Sequence, residues 1–426
     1  MALQQDSTSW RWDARKSPWG SEIKILLASA MIIFLLTVGI GILNGQRIVK
    51  LDHNTLLTHV HAGTLGWITL SVFSISLFLF GEGASSGVSG RGKAFMRWLC
   101  LFTAVSVPLY VLAFWSSSIP GFAGSYIARS ALGVLVLVAI VGYLGWVVAR
   151  SSSMRPGVAQ LAVLGSLVTL LLAGLVGVLL QFQFALGSLL LPPGSGVPAH
   201  ASTMVAGYLV LIGMALSEWS LMPERARISW LGLVQITLFF LAGLALGASF
   251  LFNLVPLQMV NLLFSVIGVL IYIVRFAPRL LRLNWLGHNS GRFFAMSVLF
   301  VVFNISLTVY MIVNLIIGVV KDPATDAPGL LLALDHSIFV GVMTNAIFGL
   351  LHAMTQERRS LWPWAEDILF WGMNIGLAGF LFALISEMRD LERIFTPIMG
   401  LSILLGLLLF ALRMRGAAAV AQVGDK

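Results

Sequence analysis

Charged side chains are scarce in this chain: Asp, Glu, Lys and Arg make up 10% of its 426 residues, against about 25% in an ordinary soluble domain. A water-facing globular surface cannot be built from so few. Cysteine is nearly absent as well. Cys100 stands alone, which excludes a disulfide framework, a CxxC pair and a CxxCH site for covalent attachment of a tetrapyrrole. The apolar stretches are too long and too uniform for the alternation of a membrane β-barrel, so strands are not expected. Histidine is rare too, with seven in the whole chain.

Apolar residues are what the chain has in excess, at 58%, with a mean hydropathy of +0.95. A hydrocarbon core about 30 Å thick needs roughly 20 apolar residues rising 1.5 Å each. Twelve such stretches are predicted, at 22–43, 58–81, 93–116, 126–150, 157–182, 199–220, 228–252, 254–276, 292–319, 331–356, 364–386 and 393–414. Between the seventh and eighth, Asn253 and Pro256 are the only punctuation. The expected organisation is a cytoplasmic segment 1–21, one all-α membrane domain 22–415, and a cytoplasmic tail 416–426.

Basic residues fall mostly on one side of this topology. Arg11, Arg15, Lys16 and Lys24, then Arg91, Lys93 and Arg97, Arg150 and Arg155, Arg225 and Arg227, Arg275, Arg279, Arg282 and Arg292, Arg358 and Arg359, and Arg413, Arg415 and Lys426 share it. Both termini are therefore expected in the cytoplasm. The net charge of +9 follows from topology and gives no case for a nucleic-acid partner. No cleavable signal peptide is expected, because polar and charged residues continue to Lys24 and the first apolar run is long enough to span.

The histidines recur. HVHAGTLGWIT at 59–69, HASTMVAGYLV at 200–210 and LDHSIFVGVMT at 334–344 align on Gly66, Gly207 and Gly341, about a third of the chain apart. Such a period points to an internal repeat, here of about 22–150, 157–276 and 292–415. In this alignment His59 and His200 share one column, and His61 and His336 share another, with Ser202 standing in the second column of the middle segment. All open spans that start on the outer side. Neutral imidazole is a good ligand for iron or copper, and ionisable groups within a membrane are costly enough to be functional by default. His61 and His336 are the expected cofactor pair, with His200 and His59 as further candidate metal ligands and Asp335 and Thr64 as candidate supporting groups. His59 lies about 200° around the helix from His61, so the two cannot face one plane.

Twelve spans in three groups of four, with histidines opening the second, sixth and tenth, resemble the haem-copper oxidase subunit I superfamily. That resemblance implies a non-covalent haem b held by His61 and His336, a copper-type ligand at His200, and an electron-transfer or nitric oxide-binding role. It further implies a redox partner protein or quinone, and residence in a prokaryotic cytoplasmic membrane. Oxygen reduction is not expected: the seventh span has no histidine, Leu334 stands where a second tenth-span histidine would fall, and Met204 replaces the tyrosine four residues after His200. The chain is also similar to NnrS-type haem and copper membrane proteins, through HSIFVGVMTNAIFG at 336–349 and, more loosely, GHNSGR at 287–292. A secondary transporter, or a structural subunit without cofactor, are the alternatives from other classes.

The remaining polar residues have simpler expected roles. His53 and His288 belong to polar loops, and His352, roughly 24 Å along the helix from His336, is expected at lipid headgroups. Asn304, Asn314, Asn345 and Asn374 are expected to bond between helices. Trp67, Trp115, Trp146, Trp219, Trp285, Trp362 and Trp364 are expected in interfacial belts, and the methionines in packing.

Overall fold

A computed structural model describes residues 17–81, 89–119, 125–222, 229–355 and 362–423. Arg11, Arg15, Lys16, Arg225, Arg227, Arg358, Arg359 and Lys426, which enter the topology expectation, lie outside the described residues. Among those described, there is no strand, and twelve helices are long and apolar enough to cross a membrane. They are α1 (Gly20–Gly45), α2 (His53–Leu79), α3 (Gly90–Ser116), α4 (Tyr126–Ser151), α5 (Val158–Leu186), α6 (Gly196–Leu221), α7 (Trp230–Phe252), α8 (Val255–Leu280), α9 (Ser290–Ile316), α10 (Pro328–Thr355), α11 (Pro363–Ile385) and α12 (Arg389–Arg415). The helix starts are written locally. Asp52, Ser89, Ser229 and Asn289 each accept backbone N–H bonds from the first turn that follows them, which satisfies donors that have no partner within the helix.

The break between α7 and α8 is sharp. Asn253 takes a left-handed conformation at φ 52° and closes α7 through its N–H to the Ser249 carbonyl, a geometry asparagine tolerates better than most residues. Pro256 then opens α8, where its missing N–H removes no helical bond.

Burial sorts the helices. Within the most apolar window, α2, α10 and α6 are 94%, 83% and 72% buried, while no other span exceeds 56%. These three form the interior, and the rest pack around them. α2 runs along α1, α6 along α5 and α10 along α9; among the outer helices α3 packs on α4, α4 on α5, α7 on α8, α8 on α9, α11 on α12, and α12 returns to α1.

The three interior helices share an irregularity. Each widens into a π-helical stretch, over Ala62–Thr69, Thr203–Leu209 and Ser337–Thr344. All three stretches begin four residues before the aligned glycine. π-helical turns are rare and frequent at functional sites. At those glycines the preceding helix comes too close for a side chain: a Cβ would lie 2.2 Å from Ile33 at Gly66, 3.0 Å from Thr169 at Gly207 and 2.4 Å from Phe300 at Gly341. The glycines thus serve close helix approach.

Several polar expectations are corrected by this packing. Trp67 is fully buried, donating its indole N–H to Thr344 at 3.0 Å, so it belongs to the core and not to an interfacial belt. Asn304 bonds across to α10, and Asn345 and Asn374 bond each other at 2.7 and 3.1 Å. Asn314 makes no bond between helices among the described residues; half-buried, it returns to the Tyr310 carbonyl of its own turn. His352 is buried at 2.9 Å from Glu366, away from headgroups, because a carboxylate on α11 gives it a partner inside.

Candidate functional site

Four imidazoles stand near the starts of the interior helices, and all four are oriented alike. His59 Nδ1 lies 2.8 Å from the Thr37 carbonyl, His200 Nδ1 2.8 Å from Ala173, His61 Nδ1 2.8 Å from Leu57 and His336 Nδ1 2.8 Å from Leu332. A ring nitrogen facing a carbonyl must donate, so each neutral ring keeps its proton on Nδ1 and its lone pair on Nε2. No Nε2 of the four has a hydrogen-bond partner among the described residues. Metal-binding histidines are held in this way, with one nitrogen tied back and the other free to coordinate.

Two kinds of tether are present, and they follow the sequence columns. His59 and His200 reach the carbonyl of the preceding span, and each ring is received by a glycine one turn on: a Cβ would sit 3.0 Å from the His59 ring at Gly41 and 2.8 Å from the His200 ring at Gly177. His61 and His336 instead bond the carbonyl four residues earlier in their own helix.

One imidazole of each kind meets the other, His59 and His336. The ring of His336 faces that of His59, with centroids 6.5 Å apart and planes inclined by 29°, and Phe380 packs edge-on behind it at 5.0 Å. Phe114 stacks on the His61 ring at 4.1 Å, Tyr110 meets its edge at 5.9 Å, and the Arg129 guanidinium covers Phe114 at 4.4 Å. From the sequence alone His61 and His336 form the expected pair, whereas His59 is the imidazole that the structure brings to His336. All four imidazoles are half-buried.

The third position of this arrangement carries no imidazole. There the columns hold Leu334 on α10 and Ser202 on α6. Asn304 stands four residues past Phe300, as Thr37 stands past Ile33 and Ala173 past Thr169. It replaces the histidine tether with its own amide, donating to the Leu334 carbonyl at 2.9 Å and to Ser337 at 2.8 Å. The core below repeats the pattern: Trp67 of α2 bonds Thr344 of α10, and Tyr208 of α6 bonds Thr69 of α2 at 3.1 Å. The matching residues between α10 and α6 are Val342 and Val210, both buried.

Arg129 was not singled out by the sequence reading, although an arginine within the first turn of an apolar span is itself a signal. It is 2% exposed, donates to Asn54 at 2.8 Å, and leaves its Nε without a partner among the described residues. Of the expected supporting groups, Thr64 bonds the Val60 carbonyl of its own helix and Asp335 makes no hydrogen bond among the described residues. His53, expected in a polar loop, is instead the first residue of α2, after the Asp52 cap, and is exposed; His288 lies in a loop and pairs with Asp367 at 2.8 Å.

Among the described residues no group of three or more His, Cys, Asp or Glu side chains gathers as a bare metal ion would require. Comparison with known protein families and with curated proteins finds no match to this chain.

Proposed function

We propose that this protein is an integral membrane b-type haem protein that carries electrons, with His59 of α2 and His336 of α10 as the axial pair. The observation that carries the reading is the 6.5 Å separation of these two rings. Two metal–nitrogen bonds of about 2 Å plus the two ring radii give a centroid separation of about 6 Å. Two imidazoles without a third donor suit a metal that brings its own equatorial ligands, which a tetrapyrrole does and a bare copper ion does not.

The grouping of the helices into three sets of four, as in haem-copper oxidase subunit I, is part of the same proposal. It is supported by the matched π-helical stretches, the matched glycines and the cyclic order of the polar bonds among α2, α6 and α10.

The chain's own contribution is to hold and to tune. The Thr37 and Leu332 carbonyls fix both rings in the Nδ1–H tautomer, which raises the basicity of Nε2. Gly41 gives His59 room to lie against α1. The enclosing apolar helices exclude water, which favours the less charged redox state of whatever is bound. Bound haem would supply one-electron chemistry. A haem held by both imidazoles would favour electron transfer over binding of nitric oxide or another diatomic.

Purified protein from a haem-replete host is expected to give a b-type pyridine haemochrome spectrum, and His59→Ala and His336→Ala are each expected to remove a low-spin haem signal. A wild-type protein devoid of haem would refute the reading.

A further inference from the structure

We infer that the chain has a second haem-type site between α2 and α6, where His61 and His200 would hold the macrocycle and Arg129 would be the cation for one of its acid groups. The inference rests on the proposed role of the first pair and extends it to a second site.

Position carries the case. His200 is the equivalent of His59 in register, in its tether to the preceding span and in the glycine that receives its ring. His61 is the equivalent of His336, with its tether to its own helix. Going round the three interior helices, the step that joins His59 of α2 to His336 of α10 would, repeated once, carry His200 of α6 to His61 of α2. The same step joins Trp67 to Thr344 and Tyr208 to Thr69. The remaining step, from α10 to α6, meets Leu334 and Ser202, so two sites are built and the third is closed.

Arg129 is the independent observation. A guanidinium 2% exposed, on an outer span, has Asn54 as its only hydrogen-bond acceptor and no carboxylate among the described residues. Its Nε is unpartnered and its plane is held by Phe114, the ring that also stacks on His61. A buried guanidinium is expected to find an anion, and the planar fork of arginine fits a carboxylate in particular. A propionate of a macrocycle ligated by His61 is within reach of that requirement.

The test is the haem content of the full-length protein in detergent, taken with a redox titration. Two b-type haems per chain are expected in the wild type. His61→Ala and His200→Ala are each expected to lose one haem while the potential of the other is unchanged, and added imidazole is expected to restore the loss. His200→Met, which keeps an axial ligand and spares the fold, is expected to retain both haems and to raise the potential of one, as methionine does in place of histidine. Arg129→Gln is expected to lower the potential of that same haem by about tenfold in its redox equilibrium, ~59 mV for one electron, because loss of a nearby positive charge favours the oxidised form. One haem per chain, lost in His59→Ala and untouched in His61→Ala, overturns the second site and leaves the first standing. No haem in the wild type overturns both. Two haems with potentials unmoved by Arg129→Gln remove Arg129 from the site.

Discussion

At the scale of single residues, the chain uses a histidine twice over: one nitrogen is spent on a backbone carbonyl so that the other has a defined direction. In the proposed haem site this tether would set the direction of the coordinating nitrogen. If His59 were held only by packing, Thr37 would matter little. Replacing Gly41 by Leu, whose side chain would occupy the place of the His59 ring, is expected to lower haem occupancy more than Gly39→Leu, where nothing lies within 4 Å of the added carbon; absorbance of the purified proteins per mole of chain checks it.

Outside the membrane, Asp52 shows a different residue-level device. Its carboxylate accepts from the Asn54 and Thr55 backbone and from the Thr55 and Ser118 hydroxyls. These bonds, that from the Thr55 hydroxyl foremost, outweigh desolvation and hold its pKa down to about 2. A depressed folded pKa means stabilisation that is complete above the unfolded value near 3.9 and is lost as pH falls through about 2. Asp52→Ala is expected to cost about 1 kcal/mol at neutral pH. In thermal melts the gap between wild type and Asp52→Ala should close as pH is taken from 5 towards 2.

At the scale of elements, the glycines of the interior helices bring backbones together where lipid provides no hydrophobic force to do so. One close approach of backbone to backbone is between α6 and α7, where a Cβ on Gly243 would lie 2.4 Å from the Gly207 backbone. Backbone cannot rotate away as a side chain can, so Gly243→Ala is expected to destabilise by about 1–3 kcal/mol. Gly39→Ala, in open space, is expected to be neutral; melting temperatures in one detergent compare the two. The glycine column was legible in the sequence as an alignment of Gly66, Gly207 and Gly341. Its use was not, because a small residue serves helix packing and cofactor access equally well until the neighbour is known. The π-helical stretches left no local trace in composition.

At the scale of the whole molecule, the two ends of the bundle are held differently. Near the starts of the interior helices four imidazoles are tied to backbone carbonyls, with the buried Arg129 close by; at the opposite end lie buried ion pairs. Glu366 of α11 takes His352 of α10 at 2.9 Å and Arg413 of α12, while its backbone carbonyl accepts from Arg292 of α9 at 3.1 Å. Arg275 of α8 meets Glu218 of α6 at 2.6 and 2.8 Å and Gln235 of α7 at 2.7 Å. These clusters tie helices that are distant in sequence. Removing one partner of such a group leaves an uncompensated buried charge, so Glu366→Ala is expected to cost on the order of 3–5 kcal/mol, measurable as a lowered melting temperature with the haem spectrum of any folded fraction unchanged.

Composition and hydropathy alone determined that this chain lives in a bilayer, where its twelve helices lie, and that the candidate imidazoles open the second, sixth and tenth, because span length and local caps depend on neighbours in sequence. Only the tertiary structure decided which imidazole meets which. His59 and His61 are two residues and about 200° apart on one helix, and the face each presents is set by how α2 is rotated against α1, through Ile33 on Gly66 and the widened turn after His61. That rotation is a property of packing, and it turns His59 towards His336 of α10 and His61 towards Phe114 and Tyr110 of α3.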